Sequence, residues 1–161
     1  MPHFFAMKHS PFSNFHTCKF TDPSFPGVTF TSSEQNFMAR KAREFHDEAA
    51  LALILNTDNP AEAKRLGRKV QNYDEKQWGA VRFQHMQEAL RLKFTQDERC
   101  QKALLETGNQ EMVEASPWDG LWGIGMDEKT AKQTPREHWG QNLLGLALEG
   151  IRAEIRKTQK T

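Results

Sequence analysis

The run Asp74-Glu-Lys-Gln-Trp78-Gly-Ala-Val81-Arg-Phe-Gln-His-Met86-Gln-Glu-Ala89-Leu90-Arg-Leu-Lys93-Phe94 decides the reading of this chain. Trp78, Val81, Met86, Ala89, Leu90 and Phe94 fall approximately on one stripe at the helical period, so a long central helix is expected from Asp74 to Phe94. The neighbouring segments keep that period. Asp97 to Thr107 reads as a helix ended by Gly108, and Gln141 to Lys157 as a last helix with Leu144, Leu148, Ile151 and Ile155 on its buried face. Upstream, Asn59 before Pro60 and Gly67 after Leu66 give the cap, first-turn Pro and terminal Gly of one short helix, with Ala63 and Leu66 turned inward. His46 to Leu55 is another helical stretch, and Phe37, Met38, Lys41 and Phe45 mark one that begins after Thr31. Residues 1–31 differ, with short apolar runs such as Phe4-Phe5 and Val28 to Phe30 between Pro and Gly turns; short strands and loops are expected there, and Glu111 to Ala115 reads as a short strand or turn. Ser116 to Gly140 holds three of the four Trp and four of the ten Gly, the composition of a long loop whose rings need a packing or binding purpose. The fold expected is mainly α (α+β), one domain over 1–161 with a small N-terminal strand component.

Composition narrows the function classes. A chain of 161 residues suits one core, burying roughly two-thirds of the surface its unfolded form exposes. Its 22 Lys and Arg against 21 Asp and Glu leave a net charge of +1, which argues against broad coating of a polyanion and leaves room for a local basic groove. Cys18 and Cys100 lie far apart without metal-ligand spacing, so they read as reduced thiols of a cytoplasmic protein. The six His show no paired spacing, and a metal site is not expected. No stretch approaches the ~20 apolar residues that span a bilayer, so no membrane partner is expected.

Chemistry-bearing residues gather in three places. Spacings of four and three residues put Glu34, Met38 and Lys41 on one side of the helix after Thr31, aligning an acid with an amine. Thr31-x-x-Glu34 also matches a capping box, in which the acid merely closes the first turn, and Lys41 also reads as a solvated surface lysine. Ser116-Pro-Trp118-Asp119-Gly-Leu-Trp122-Gly-Ile-Gly125 combines rings, a carboxylate and flexible backbone, suited to stacking a base or to plugging the core. Its Gly-x-Gly lacks the surrounding strand and helix of a dinucleotide fold. Ser13-Asn14-Phe15 offers polar donors or simple turn chemistry.

Taken in order, these pieces resemble the NADAR, or YbiA-like, family over nearly the whole chain. The resemblance runs through Ser13-Asn14-Phe15, Ser33-Glu34 with Phe37, Ala39 and Lys41, then Leu66-Gly67-Arg68. It continues through Trp78 with Arg82 and Met86, Lys93-Phe94, Asp119-x-x-Trp122-Gly123-x-Gly125 and Gly140-x-Asn142-x-Leu144-Gly145. It implies a mainly helical fold and N-glycoside hydrolysis without a metal or organic cofactor. Two substrate classes follow from it: ADP-ribose attached to guanine of a nucleotide or nucleic acid, which is favoured, and phosphoribosylamino-pyrimidine intermediates of riboflavin synthesis. A non-enzymatic ADP-ribose-binding module is the alternative of another class. Carried over by position, Glu34, Lys41 and Asp119 are the catalytic candidates, with Ser13, Asn14, Phe15, Trp78, Trp122, Gly123 and Asn142 as substrate-binding candidates. The sequence departs from the shorter bacterial form in an extended segment, Met126 to Trp139, expected to reshape the pocket mouth for a larger ligand.

Overall fold

The computed structural model describes residues 1–160; Thr161, the last position of the expected domain, lies outside them. Around the central helix the elements run β1 (His3–Phe5), β2 (Phe20–Thr21), β3 (Thr29–Phe30), α1 (Ser33–Glu44), α2 (Glu48–Leu55), α3 (Pro60–Gly67), α4 (Glu75–Gln96), α5 (Glu98–Glu106), β4 (Met112–Glu114), α6 (Glu128–Ala131) and α7 (Leu143–Gln159). This is a mainly helical fold with a minor strand component. α4 packs between α1 and α7, and its buried side chains Trp78, Met86, Ala89, Leu90 and Phe94 belong to the stripe read from the sequence, whose remaining member Val81 is only partly buried. Its inner face also carries Lys93, with 0% of its surface exposed. The Lys93 ammonium donates to the Ser13 carbonyl at 3.0 Å, fastening the N-terminal loop to the centre of the molecule.

Local capping chemistry sets the helix starts. Ser32, not Thr31, caps α1: its hydroxyl accepts from the Gln35 N–H at 3.1 Å, while the Gln35 amide oxygen accepts from the Thr31 N–H at 3.0 Å. The reciprocal box is therefore displaced by one residue from the one the sequence suggested, and Glu34 is not needed to close the turn. Asp47, Asn59, Asp74 and Asp97 cap the next four helices with their side chains. Gly67 ends α3 as expected, for another reason. A Cβ there would stand 2.0 Å from Met38 Sδ, so the glycine admits close packing of α3 on α1 rather than a left-handed turn. Gly108, at φ +64°, does take that conformation after α5.

The two strand pairs tie distant parts of the chain. β2 and β3 form a short antiparallel pair, whereas β1 runs parallel to β4 with His3 opposite Met112 and Phe5 opposite Glu114. Beneath β4, Asn142 adopts a left-handed conformation (φ 53°) at the start of α7. Its amide nitrogen donates to the Met112 carbonyl at 2.8 Å and its oxygen accepts from the Glu114 N–H at 3.0 Å. Gly145 permits this approach, since a Cβ would lie 2.0 Å from the Met112 oxygen.

The segment from Met126 to Trp139 is not a lid. It contains α6 and a 3-10 turn at Arg136–His138, and with Val113, Ala115, Ile124, Ala131 and Phe4 it builds a small second core. Both thiols are buried and free, pushed up by burial to about 11 at Cys18 and about 12 at Cys100. Among the described residues no helix is long and apolar enough to cross a membrane.

Replacing Asn142 by Ala leaves the Met112 carbonyl and Glu114 amide without partners and puts a less tolerant residue at positive φ. The expected loss is about 2–4 kcal/mol, read as a lower urea midpoint with an unchanged slope.

Candidate active site

A cavity of about 390 Å³ lies where the N-terminal loop, α1, α3, α4 and the segment after β4 converge. Its volume falls in the range of small-molecule sites, roughly 300–1,000 Å³. Each wall comes from a different part of the chain. Ser13, Asn14 and Phe15 stand on the loop fastened by Lys93; Glu34, Phe37, Met38 and Lys41 come from α1; Lys64 and Arg68 come from α3 and its end; Trp78 and Met86 come from α4. Glu114 to Asp119, Trp122 and, from the N-terminal segment, Ala6 to Lys8 complete it.

The N-terminal loop is locked onto the start of α1. The Glu34 N–H donates to the Asn14 carbonyl at 3.0 Å, and the Ser33 hydroxyl donates to Asn14 Oδ1 at 2.7 Å. The Asn14 amide in turn reaches Met86 Sδ at 3.6 Å. Glu34 is thereby fixed at the head of the helix, 7% exposed. Burial is the main cause of a carboxyl raised to about 7; nearby Asp119 adds to the rise, while Lys64, Lys41 and Arg68 oppose it.

Glu114, which sequence reasoning did not select, also faces this cavity. Burial raises its carboxyl to about 7 as well, helped by the charges of Asp119 and Glu34 and opposed by Lys64. Strand alternation held a usable signal: Val113 and Ala115 enter the second core, so Glu114 must point to the other face, with Met112. Asp119 completes the set of three acids. Its Oδ1 accepts from the Leu121 and Trp122 N–H groups at 2.9 and 2.8 Å, closing a turn that sets Trp122 against Phe37 with ring centroids 5.3 Å apart. Trp78 flanks Phe37 at the same 5.3 Å, and the three rings form an aromatic wall.

Lys41 lies almost two turns along α1 from Glu34. It lines the cavity, half-buried, with its ammonium 4.7 Å from the centre of the Tyr73 ring. Burial lowers its pKa, the charge of Arg68 lowers it further, and Glu34 and Glu75 pull it back up. Glu34 and Lys41 share the cavity without forming an ion pair within 4.0 Å among the described residues.

The structure thus brings together Glu34, Lys41, Asp119, Ser13, Asn14, Phe15, Trp78 and Trp122. Gly123 and Asn142 are not among the lining residues. They sit behind the wall, where the Gly123 carbonyl accepts from the Asn142 N–H at 3.0 Å and a Cβ on Gly123 would meet the Glu114 oxygen at 2.8 Å. Their part is to hold β4 and the Asp119 turn in place. The Met126 to Trp139 segment, expected at the mouth, contributes no lining residue. Its second core draws it to the far side of β4. No group of three or more His, Cys, Asp or Glu among the described residues is arranged to hold a metal.

Comparison with known proteins agrees with this architecture. An N-glycosidase of Acanthamoeba polyphaga mimivirus is 42% identical over 126 residues, covering 78% of this chain and 74% of that protein. A riboflavin biosynthesis protein of Vibrio vulnificus is 31% identical over 149 residues; these are 92% of this chain but only 36% of that longer protein. Among solved structures, the Escherichia coli protein YbiA superposes with a TM-score of 0.76 at 28% identity, over 99% of this chain and 89% of its own. The NADAR domain model matches residues 3–156, and with that match the chain belongs to the NADAR domain family.

Proposed function

We propose that this cavity hydrolyses the bond between a ribose carbon and an exocyclic amine, releasing ADP-ribose from the amino group of a guanine in a nucleotide or nucleic acid. The chain is an N-glycosidase, a hydrolase of N-glycosyl compounds like the relatives that carry that name. One observation carries the reading of the chemistry: two carboxyls near neutrality and a lysine of lowered pKa line a single aromatic-walled cavity.

An amine-linked ribose opens to an imine, because the ring oxygen and the exocyclic nitrogen share the anomeric carbon. Lys41, when neutral, adds its Nζ lone pair to that carbon. The leaving amine takes a proton from a protonated carboxyl and departs as the C–N bond breaks, and the sugar remains as a Schiff base on Lys41. Water then adds to the same carbon, the carboxylate recovers a proton from it, and the lysine is freed. Glu34 and Glu114 suit this exchange, since a carboxyl near 7 is present in both forms at neutral pH. Asp119, with one oxygen held by backbone amides, orients ribose hydroxyls with the other. Trp122 and Trp78 flank the leaving base. In direct hydrolysis through an oxocarbenium-like state, a carboxylate activates water and Lys41 only positions the sugar.

An extended Met126 to Trp139 segment does not support the larger substrate, because it stands away from the cavity. The mouth supports it instead: Trp118, 92% exposed, borders it. The riboflavin reading draws on the name of the Vibrio vulnificus relative.

An oligonucleotide bearing ADP-ribosylated guanine separates these readings. With wild type, mass spectrometry is expected to find free ADP-ribose and unmodified oligonucleotide, while Glu34→Gln and Lys41→Ala lower the rate by ~100-fold or more. Borohydride is expected to trap a sugar adduct on Lys41; no adduct, with substantial turnover left in Lys41→Ala, selects direct hydrolysis. No release from the oligonucleotide, with turnover of a phosphoribosylamino-pyrimidine, selects the riboflavin substrate.

The pH profile follows from the acids. The first step needs a protonated carboxyl together with neutral Lys41, so kcat/KM is expected to be bell-shaped in pH, with the Glu34 carboxyl near 7 setting one limb. Glu114→Gln removes a negative neighbour from Glu34, lowering its pKa and moving that limb to more acidic pH by roughly one unit. An unmoved limb in this variant rules out coupling between the two acids.

A further inference from the structure

Lys41 is held from outside the cavity that it lines. Its ammonium stands 4.7 Å from the centre of the Tyr73 ring, within the range over which the negative face of an aromatic ring attracts a cation. Tyr73 is not among the lining residues. It belongs to the loop between α3 and α4, and that loop is fastened on both sides of it. The Gln71 N–H donates to Asp47 Oδ2 at 2.8 Å, Asn72 turns the chain in a left-handed conformation (φ 62°), and Asp74 caps α4 by accepting from the Gln77 N–H at 2.8 Å. Phe45, one turn beyond Lys41 on α1, packs against the ring with centroids 5.4 Å apart.

Two charged side chains fix the outer end of the ring. The Tyr73 hydroxyl donates to Glu75 Oε2, and the Arg82 guanidinium donates to Glu75 Oε1 at 3.0 Å. The phenol stays neutral, because this hydrogen bond to a carboxylate raises its pKa. Donation to a carboxylate also leaves the ring richer in electrons, which strengthens its attraction for a cation. Arg82, Glu75 and Tyr73 form a chain of contacts that starts at the surface and ends at the nitrogen of Lys41.

These contacts act on one protonation state. The ring face attracts an ammonium and has no comparable hold on a neutral amine. Burial and Arg68 draw Lys41 toward its neutral form, Glu34 and Glu75 draw it toward the charged form, and Tyr73 adds to the second side. The other charged groups of the cavity are Lys8 on the N-terminal segment, Lys64 on α3, and Glu114 and Asp119 on the opposite wall. Glu44, three residues beyond Lys41, is paired instead with His85 of α4 at 3.4 Å.

We propose that Tyr73 is a positioning residue for Lys41: its ring face, pinned by Glu75 and Arg82, holds the charged nitrogen at the edge of the cavity and governs how readily it gives up its proton. The effect on turnover rests on the reading of Lys41 as the nucleophile. The effect on the proton does not.

Competitive acetylation by trace acetic anhydride across pH, read by peptide mass spectrometry against the exposed Lys129, measures the protonation of Lys41 without turnover. Wild type, Tyr73→Leu, Tyr73→Phe and Glu75→Gln are compared, each variant first shown to be folded by circular dichroism. Tyr73→Leu is expected to lower the Lys41 midpoint by about half a pH unit, and Tyr73→Phe, which restores the ring, to recover most of that shift. Glu75→Gln removes a negative neighbour and the anchor of the ring, and is expected to lower the midpoint as well. An unchanged midpoint in Tyr73→Leu or Glu75→Gln, or an equal fall in Tyr73→Phe and Tyr73→Leu, overturns the proposal. The pH profile of kcat/KM on an amine-linked riboside, measured alongside, separates it from the reading of the mechanism. The limb set by Lys41 is expected to move to more acidic pH together with the labelling midpoint. A shifted midpoint with an unmoved profile keeps Tyr73 as the holder of Lys41 and overturns Lys41 as the nucleophile.

Discussion

The buried ammonium of Lys93, bound to the Ser13 carbonyl, is the constraint on which the cavity depends. An ammonium with no exposed surface is held far from water, and burial lowers its pKa while the nearby Cys18, Cys100 and Asp97 act in the opposite direction. Such a charge is tolerated only while its partner is in place, so the loop over residues 10–16 must close onto α4 whenever the core forms. Closure then propagates. Asn14 receives the Ser33 hydroxyl and the Glu34 amide, and the head of α1 is fixed beside the loop that supplies the opposite wall. The wall and the carboxyl that faces it are positioned by one interaction at the centre of the protein.

Electrostatics within the cavity divides into a floor and a rim. Burial drives the two glutamates toward their neutral forms, and the lysine and arginine side chains oppose that drive without pairing to them closely. Had Glu34 formed a tight pair with Lys41 or Lys64, its carboxyl would stay ionised and could not deliver a proton near pH 7. Separation within a shared cavity keeps both groups chemically available. The aromatic wall of Phe37, Trp78 and Trp122 sustains this by excluding water from one side.

Much of the fold was legible because helix caps and apolar spacing act locally. The central helix, the Asn59-Pro60 start and the inward face of the last helix all follow from neighbouring residues. Lys41 was legible through register, as a position that returns to the side of Glu34. Glu114 was harder, since its direction depends on which core the flanking Val113 and Ala115 enter, a tertiary fact. Lys64 was not singled out, and Arg68 entered only within the Leu66-Gly67-Arg68 motif; the packing of Gly67 on Met38 brings that helix beside the cavity. Asn142 and Gly123 carried the pattern of the site yet serve it from behind, because hydrogen bonding to a strand and lining a pocket call for the same residue types. The Met126 to Trp139 segment misled because extra length suggested a pocket mouth, whereas Met126, Ala131 and Trp139 pack into a core of their own.

The parallel pairing of β1 with β4 has a further consequence for how the enzyme comes into being. Residues 3–5 meet residues 112–114 across most of the chain, and parallel partners cannot be joined by a tight turn. Contacts of such long sequence separation form slowly, after the loop-closure entropy has been overcome. On the ribosome the first strand waits for its partner, while the local helices between them are free to form. Glu114 stands on that late strand, and the loop opposite follows the early one. The cavity wall that carries Glu114 thus depends on a contact of long sequence separation, unlike the helices around it, whose contacts are local.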